Sequence, residues 1–268
     1  FPEAVKHMHD FRITGGEPLM SQDTWKVLDY ILEHPNPNKN LNLAINSNLG
    51  VPDKLVDRFI EKVSKICDEG RVKEFVIFTS VDSWGAQAEY IRNGLEFNRF
   101  WDNCHKVLEK CPKVILTYMV TYNALSVPNY DKLIRGVYDL KTQYGSDDRY
   151  WNSATFLDTS YLRHPKHQTV QVLEPHWADK IYSDAQLVDF LGVPLFEKEY
   201  IGYSDVEIQK LKRTFDWMKS PIPENQLETQ RRNFGYYFRA HDERRGTDFC
   251  ATFPELEEFY RKCLEIKI

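Results

Sequence analysis

Cysteine is scarce in this sequence, and its arrangement does not suggest a covalent or metal framework. The five cysteines are odd in number, scattered, and form no C-x-x-C pair: Cys67, Cys104, Cys111, Cys250 and Cys263. A disulfide framework and a zinc site built from paired cysteines are therefore disfavoured. Buried thiols in a reducing compartment fit this usage, so we expect the protein to be cytoplasmic.

Long apolar runs, a signal-peptide pattern and an excess of basic residues are also absent. Without a run long enough to cross a bilayer, we expect no membrane-spanning segment. The formal net charge of −5 predicts no general attraction to nucleic acid. The protein does have 42% hydrophobic residues over 268 positions, which is enough for one large core or two smaller ones.

Apolar periodicity in the first part of the sequence alternates between strand and helix. Strands are predicted at 11–14, 41–45, 72–80, 114–121 and 152–157. Helices are predicted between them at 21–33, 51–69, 84–93, 95–110 and 127–144. Such alternation predicts an α/β fold with a parallel sheet and right-handed crossovers. The strand at 72–80 is apolar on both faces at its centre, so we expect it to be covered on both sides.

The sequence pattern changes near residue 174. Residues 161–173 are ambiguous and are interpreted as extended segments of a sheet or a hairpin. Beyond them only helices are predicted, at 177–190, 204–218, 224–241 and 253–266. We therefore divide the protein into 1–173, which holds the sheet, and 174–268, a helical region that either wraps the sheet or forms an appendage.

A turn rich in glycine follows the first predicted strand, with the sequence Gly15-Gly16-Glu17-Pro18. The two glycines let the backbone turn and leave room for a ligand next to it. Their carbonyl groups and the Glu17 carboxylate are hydrogen-bond acceptors, and the turn carries no basic residue. The turn therefore suits the ammonium group of a ligand and not a phosphate. Ser21 is predicted to cap the helix that follows.

Polar residues also follow the next three predicted strands. These residues are Asn46 and Asn48, Ser80 and Asp82, and Tyr122 and Asn123. Because the carboxyl ends of parallel strands lie at one rim of a sheet, we expect these side chains to gather there with Glu17. Such a rim is where α/β barrels build their active sites.

Three segments of the sequence show a family resemblance. The first is the Gly-Gly-Glu-Pro turn. The second is Thr79-Ser80-Val81-Asp82 followed by Tyr90-Ile91-Arg92-Asn93-Gly94. The third is Arg-Gly-Thr-Asp-Phe at 245–249 with Phe-Pro-Glu-Leu-Glu-Glu-Phe-Tyr at 253–260. Together they resemble radical S-adenosylmethionine (radical SAM) enzymes of the twitch-domain-containing group, over nearly the whole length.

The resemblance implies a partial (β/α)6 barrel that binds SAM and a [4Fe-4S] cluster. In that family a C-x3-C-x2-C loop holds the cluster, and reductive cleavage of SAM yields a 5′-deoxyadenosyl radical that abstracts a substrate hydrogen. The resemblance also implies a peptide or protein substrate and an electron donor such as flavodoxin or ferredoxin. The region 174–268 would then be twitch-like.

The resemblance also implies roles for individual residues. The turn of Gly15, Gly16, Glu17 and Pro18 would receive the amino group of the SAM methionine, with Asn46 or Asn48 beside it. Ser80 and Asp82 would lie near the SAM ribose and carboxylate, Asn123 at the ribose, and residues 156–159 near the adenine. Arg92 would donate to the methionine carboxylate, for which a guanidinium is a suitable partner.

The sequence departs from the family at the cluster, because it contains no C-x3-C-x2-C. In the family that loop follows the strand that precedes the Gly-Gly-Glu-Pro strand. The first strand predicted here would then be the family's second, and we expect the cysteine loop to lie upstream of Phe1. No metal ligand is predicted within the 268 residues, and we expect them to be inactive alone.

Two other interpretations stay open at this point. The protein could be a non-catalytic binding module that has the SAM fold without a cluster. It could also be an ordinary α/β enzyme that uses Glu17 and Asp82 as acid and base. His164 and His167 lie near the last predicted strand and could then face the site, although the pattern favours solvated or hydrogen-bonded histidines.

Overall fold

The computed structural model describes residues 1–145, 154–192, 202–220 and 222–267. The strands are β1 (Asp10–Ile13), β2 (Asn42–Asn46), β3 (Glu74–Ser80), β4 (Val114–Tyr122) and β5 (Thr155–Tyr161). They form one sheet in the order β1-β2-β3-β4-β5, and every pair of neighbours is parallel. The predicted α/β class with a parallel sheet is confirmed.

Helices connect the strands and make up most of the C-terminal region. In the sheet region they are α1 (Pro2–Val5), α2 (Gln22–Glu33), α3 (Asp53–Asp68), α4 (Gly85–Ile91), α5 (Phe97–Lys110) and α6 (Tyr130–Tyr144). The later ones are α7 (Trp177–Phe190), α8 (Asp205–Lys219), α9 (Glu224–Arg245), α10 (Phe249–Thr252) and α11 (Glu257–Glu265). Across the described ranges, no helix combines the length and the apolar character that a membrane crossing needs.

The two faces of the sheet are covered unequally. Most side chains of the helix-covered face are buried, among them Leu43, Ile45, Phe75, Ile77, Tyr118 and Leu157. The opposite face, which we call the open face, carries side chains that are half-buried or exposed, among them Arg12, Asn46, Phe78, Met119 and Asp158. Buried and half-buried residues alternate along β3. The prediction that this strand is covered on both sides is therefore wrong. A sheet wound in one direction places its crossover helices on one side only.

Several predicted boundaries also differ from the structure. The fifth strand is Thr155–Tyr161 and not 152–157, although part of the predicted range lies outside the described residues. Residues 161–173 form no hairpin, and they contain two short 3-10 turns, Lys166–Gln168 and Val170–Val172. Helix α9 continues to Arg245, where Gly246 ends it with a φ of 64°. A left-handed glycine is a common helix stop because it has no Cβ to clash.

A buried ion pair bonds two backbone groups at the outer edge of β5, near the start of the strand. Lys141 of α6 donates from Nζ to the C=O of Thr155 at 2.7 Å, and Glu207 of α8 accepts the N–H of Leu157 at 2.7 Å. Lys141 Nζ and Glu207 Oε1 are 3.1 Å apart, and the two side chains are 1% and 5% exposed. A neighbouring parallel strand would bond these same two backbone groups through one residue. The ion pair therefore takes the place of a strand residue.

The helical C-terminal region packs against β5 and, through α10, against α4. Helix α8 contacts β5 and α7, and α9 contacts the turn at Lys166–Gln168. Arg231 of α9 donates to the C=O of Val172 at 2.8 Å. The buried apolar residues of 1–173 and of 174–268 belong to one continuous core. Of the two predicted arrangements, these contacts favour the one in which the helices wrap the sheet, whereas the division at residue 173 stays a prediction.

Candidate functional site

The Gly15-Gly16-Glu17-Pro18 turn lies at the carboxyl end of β1 and leads into α2. Gly15 has a φ of 146°, and neither Gly15 nor Gly16 has a heavy atom within 4 Å of the position that a Cβ would occupy. The backbone is therefore open to a ligand on this side. A shallow groove runs beside the turn and is lined by residues 11–18 and by the first residues of α2. Ser21 caps α2 as predicted, since its Oγ accepts the N–H of Asp23 at 3.3 Å.

Glu17 is half-buried, and its carboxylate ties the turn to the loop after β2. Oε1 accepts the Ser47 hydroxyl at 2.8 Å and the Leu19 N–H at 3.1 Å, while Oε2 accepts the Asn48 N–H at 3.0 Å. Hydrogen bonds to a carboxylate are stronger than those between neutral groups. The side chain therefore fixes two consecutive strand-to-helix loops, and the acceptors that it leaves for a ligand are backbone carbonyl groups of the turn.

Asn46 and Asn48 occupy different positions beside the turn. Asn46, at the end of β2, lies on the open face, where its Oδ1 accepts the Nε–H of Arg12 at 2.6 Å. Asn48 is exposed and contacts Glu17 through its backbone, so its side chain is not held by that bond. Asn46 and Asn48, the two residues predicted as alternatives beside the SAM amino group, both lie near the turn. Of the two, only Asn46 has a side chain that is held by a hydrogen bond.

Asp82 and Arg92, which were predicted to lie near different parts of SAM, form an ion pair with each other. Arg92 Nε lies 2.8 Å from Asp82 Oδ2, and Asp82 Oδ1 accepts the N–H of Thr121 at 2.7 Å. The Asp82 side chain is 5% exposed and that of Arg92 is 28% exposed. Burial raises the pKa of Asp82, and the adjacent guanidinium acts in the opposite direction. Asp82 thus links the loop after β3 to β4, and only part of Arg92 reaches solvent.

Asn123 and Ser80 lie at the carboxyl ends of β4 and β3. Asn123 is 7% exposed, its Nδ2 donates to the C=O of Thr121 at 2.9 Å, and its Oδ1 accepts the N–H of Leu125 at 2.9 Å. These bonds shape the loop after β4, which is a common local role of asparagine. Ser80 ends β3, is half-buried, and is paired in register with Met119. Residues 156–159 belong to β5, where Phe156 and Asp158 are half-buried and Leu157 and Thr159 are buried.

Tyr90 connects two of the segments on which the family resemblance rests. Its hydroxyl donates to Asp242 Oδ1 at 2.8 Å, and the hydroxyl of Thr247 donates to the same oxygen at 2.7 Å. The Tyr90 ring packs edge-on against Phe249 and Phe253, with centroid distances of 6.0 and 5.2 Å. Segments that are more than 150 residues apart in sequence are therefore in direct contact.

Arg12 is a residue of this region that the sequence analysis missed. Its guanidinium carbon lies 3.8 Å from the centroid of the Phe78 ring, and its Nη2 lies 3.2 Å from Met119 Sδ. With the bond to Asn46, contacts from three other strands hold this residue on the open face. The available signal was the alternation in Phe11-Arg12-Ile13, which places Arg12 on the opposite face from its apolar neighbours.

The cysteines and histidines do not assemble a metal site in the described residues. Burial raises the pKa of Cys67, Cys104 and Cys263 to about 12, which keeps these groups as thiols. His167 packs against Tyr237 of α9 with a centroid distance of 5.0 Å, and burial lowers its pKa. His164 is exposed.

The expected rim of polar residues is thus present as separate pairs. The turn of Glu17 is bonded to the loop after β2, and Asp82 is bonded to β4, but no hydrogen bond between the described residues joins the first group to the second. Comparison of this protein with protein-family models, with curated proteins and with solved structures found no match.

Proposed function

We propose that this protein is the SAM-binding major part of a radical SAM enzyme, with a twitch-like C-terminal region and a peptide or protein substrate. The observation that carries the proposal is the open Gly15-Gly16 turn at the carboxyl end of β1, which Glu17 fixes to the next loop. Backbone carbonyl groups in such a turn are suitable acceptors for the ammonium group of the SAM methionine.

The edges of the sheet support a partial (β/α)6 barrel. At the outer edge of β5, the Lys141–Glu207 pair bonds the C=O of Thr155 and the N–H of Leu157. The outward backbone groups of Asp10 and Arg12 in β1 have no hydrogen-bond partner among the described residues. One more parallel strand beside β1 would raise the number of strands to six.

No group of cysteines that could hold the cluster is present in the described parts of the protein. In radical SAM enzymes a [4Fe-4S] cluster supplies the electron that cleaves SAM, and its ligands are thiolates. The five cysteines are dispersed, and burial keeps Cys67, Cys104 and Cys263 as thiols. We therefore place the cluster ligands, and with them the docking of an electron donor such as flavodoxin or ferredoxin, outside the 268 residues and assign these residues no redox step.

Binding of SAM to the 268-residue protein tests the proposal without a cluster. Isothermal titration calorimetry would compare SAM with 5′-methylthioadenosine, which lacks the amino and carboxylate groups. We expect SAM to bind about tenfold or more tightly, because only SAM reaches the acceptors of the turn. Equal affinity for the two compounds, or no binding of SAM, would overturn the assignment of the turn.

A substitution in the turn sharpens this test. Gly16→Val adds a side chain where the protein leaves open space, so the fold should tolerate it while the approach to the backbone is blocked. Gly50→Val is the matched control, since a Cβ there meets only the C=O of Asn48 at 3.9 Å. We expect loss of SAM binding in the first variant and unchanged binding in the second.

The other interpretations make different predictions. A module that never carries a cluster would bind SAM equally well, but its natural full-length form would contain no iron. An acid–base enzyme would need accessible carboxyl groups, whereas Glu17 accepts three hydrogen bonds and Asp82 is paired with Arg92. The contacts of these two residues therefore favour a positioning role over proton transfer.

A further inference from the structure

Arg12 is held rigidly on the open face of the sheet. Its Nε–H is donated to Asn46 Oδ1 at 2.6 Å, its Nη2 contacts Met119 Sδ at 3.2 Å, and its planar group lies over Phe78 at 3.8 Å. An arginine on a surface normally samples many rotamers, and ordering it costs conformational entropy. Here neighbours from β2, β3 and β4 have already restricted the side chain.

No carboxylate of the described residues pairs with this guanidinium. Among the described residues Arg12 forms no ion pair, and it is exposed. Asn46 and Met119 occupy the edge of the guanidinium formed by Nε and Nη2, so the end formed by Nη1 and Nη2 stays directed away from them. Two parallel N–H groups at that end match the two oxygens of a carboxylate.

The charges around Arg12 favour a single negative charge in the ligand. Lys210, a cation on the β5 side of this face, is neutralised by Asp158, with an Nζ–Oδ1 distance of 2.6 Å. Asp158 is paired in register with Met119, which itself contacts Arg12. A phosphate would bring up to two charges to one unpaired cation beside a carboxylate. A carboxylate brings one charge, which Arg12 alone compensates.

We propose that Arg12 is the anchor for a carboxylate group of a ligand that lies on the open face, with Met119 in contact with an adjoining apolar part. The claim that this ligand is the substrate rests on the proposed function. If the ligand is the substrate, the substrate carries a carboxylate near its reacting part. A peptide with an acidic side chain or a free C-terminus is such a molecule. The binding of the carboxylate does not depend on SAM.

The ¹⁵N resonance of the Arg12 Nε–H group provides a direct test on the 268-residue protein. Hippurate (N-benzoylglycine) carries a carboxylate and a ring, and its amide, N-benzoylglycinamide, is the neutral counterpart. We expect hippurate to shift the Arg12 resonance saturably in the millimolar range, as for a small ligand with one anchor, and the amide to cause no saturable shift. Phenyl phosphate is the third probe, and we expect it to bind more weakly.

Two variants distinguish the contribution of the paired N–H groups of the guanidinium from the contribution of its charge. Arg12→Lys keeps the charge and should weaken hippurate binding about tenfold, and Arg12→Gln should abolish it. Arg239→Gln is the matched control, because Arg239 also lies over a ring, that of Tyr236, but on α9. Amide spectra report whether each variant is folded.

The outcomes are distinct. Unchanged hippurate binding in Arg12→Gln would overturn the assignment to Arg12, and tighter binding of phenyl phosphate would overturn the assignment to a carboxylate. If hippurate binds and SAM does not, the carboxylate site stands and the proposed function fails. If SAM binds and hippurate does not, the proposed function stands and the carboxylate site fails.

Discussion

The two edges of the sheet differ in how their outward backbone groups are bonded. At the β5 edge, two side chains from different helices bond the backbone groups that a further strand would use. At the β1 edge, the outward groups of Asp10 and Arg12 receive no such bond from the described residues. The candidate SAM turn, Gly15 to Pro18, follows β1.

This difference shows where the protein places buried charge. An ion pair that is 1% and 5% exposed costs desolvation, which good hydrogen-bond geometry must offset. At the β5 edge the backbone supplies these hydrogen bonds, because the C=O of Thr155 accepts from Lys141 and the N–H of Leu157 donates to Glu207. An exposed edge is usable as a template for another strand. The outward backbone groups of β1 can therefore still pair with another strand, whereas those of Thr155 and Leu157 in β5 are already bonded.

The largest effect is expected from breaking the pair at the β5 edge. Glu207→Gln removes the counter-charge of buried Lys141 and should lower the free energy of unfolding by about 3 to 5 kcal/mol. Urea denaturation measures the change. Lys210→Met, which breaks the more exposed pair with Asp158, should cost about 1 kcal/mol or less.

A double variant tests whether the pair replaces a strand residue. Lys141→Met with Glu207→Leu removes both charges but also the groups that bond Thr155 and Leu157. If the role of the pair is to serve the backbone, the double variant stays destabilised by about 2 kcal/mol or more. A double variant as stable as the wild type would show that the backbone bonds contribute little.

A pH dependence is expected on the same side of the molecule. Burial raises the pKa of Asp184 in α7 to about 7, against the opposing effect of Lys180 at 2.6 Å, and Asp131 raises it further. Its Oδ2 has no hydrogen-bond partner among the described residues. An unfolded aspartate titrates near about 3.9. The folded state therefore holds the proton more tightly.

The sign of this effect follows from proton linkage. Between about pH 4 and about pH 7 the folded protein binds more protons at Asp184, so stability falls as the pH rises, by about 2 to 4 kcal/mol in all. Above the folded pKa the contribution is constant. Asp184→Asn should remove this slope in urea midpoints measured at several pH values, whereas Asp131→Asn should largely keep it. A slope that is unchanged in Asp184→Asn would contradict the assignment.

A smaller effect is expected at the β1 end. Glu17→Ala removes the acceptor for Ser47, Leu19 and Asn48, and should lower the free energy of unfolding by about 2 kcal/mol. Glu33→Ala is the control, since Glu33 is exposed at the end of α2. If the two variants are equally stable, the carboxylate does not hold the loops together, and the turn is less rigid than its hydrogen bonds suggest.

The smallest effect is expected where β1 begins to pair with β2. Asn42→Ala removes the exposed bond to Asp10 of β1 and should change stability by less than about 0.5 kcal/mol.

Hydrogen exchange of backbone amides compares the two edges directly. The N–H of Leu157, bonded to Glu207, should exchange slowly, and that of Arg12 should exchange fast. Similar protection of the two amides would mean that both edges are closed.

Local patterns explain why much of the fold could be predicted. Apolar periodicity located the strands and helices of the sheet region, and the hydroxyl of Ser21 marked the start of α2. The adjacency of Glu17 to the loop after β2 followed from the parallel order. The boundaries of β5 and the region 161–173 were mistaken, because short apolar segments do not distinguish a strand from a turn of 3-10 helix.

The contacts between side chains that are distant in sequence could not be predicted in this way. Lys141 looks like an ordinary lysine at the end of a helix, and Glu207 fits the Ser-x-x-Glu box that caps α8. Their partnership spans 66 residues. Asp82 and Arg92 were assigned separate roles toward SAM, whereas the structure pairs them. The functional roles of these residues are not readable from spacing alone.

The sequence by itself determined the alternation of strand and helix, the parallel class of the sheet and the open turn after β1. These depend on periodicity and on glycine, which act within a few residues. Only the tertiary structure decided which face stays open, which charges neutralise each other and why Arg12 pairs with no carboxylate among the described residues. Such outcomes depend on which distant groups meet and how far water is excluded from them.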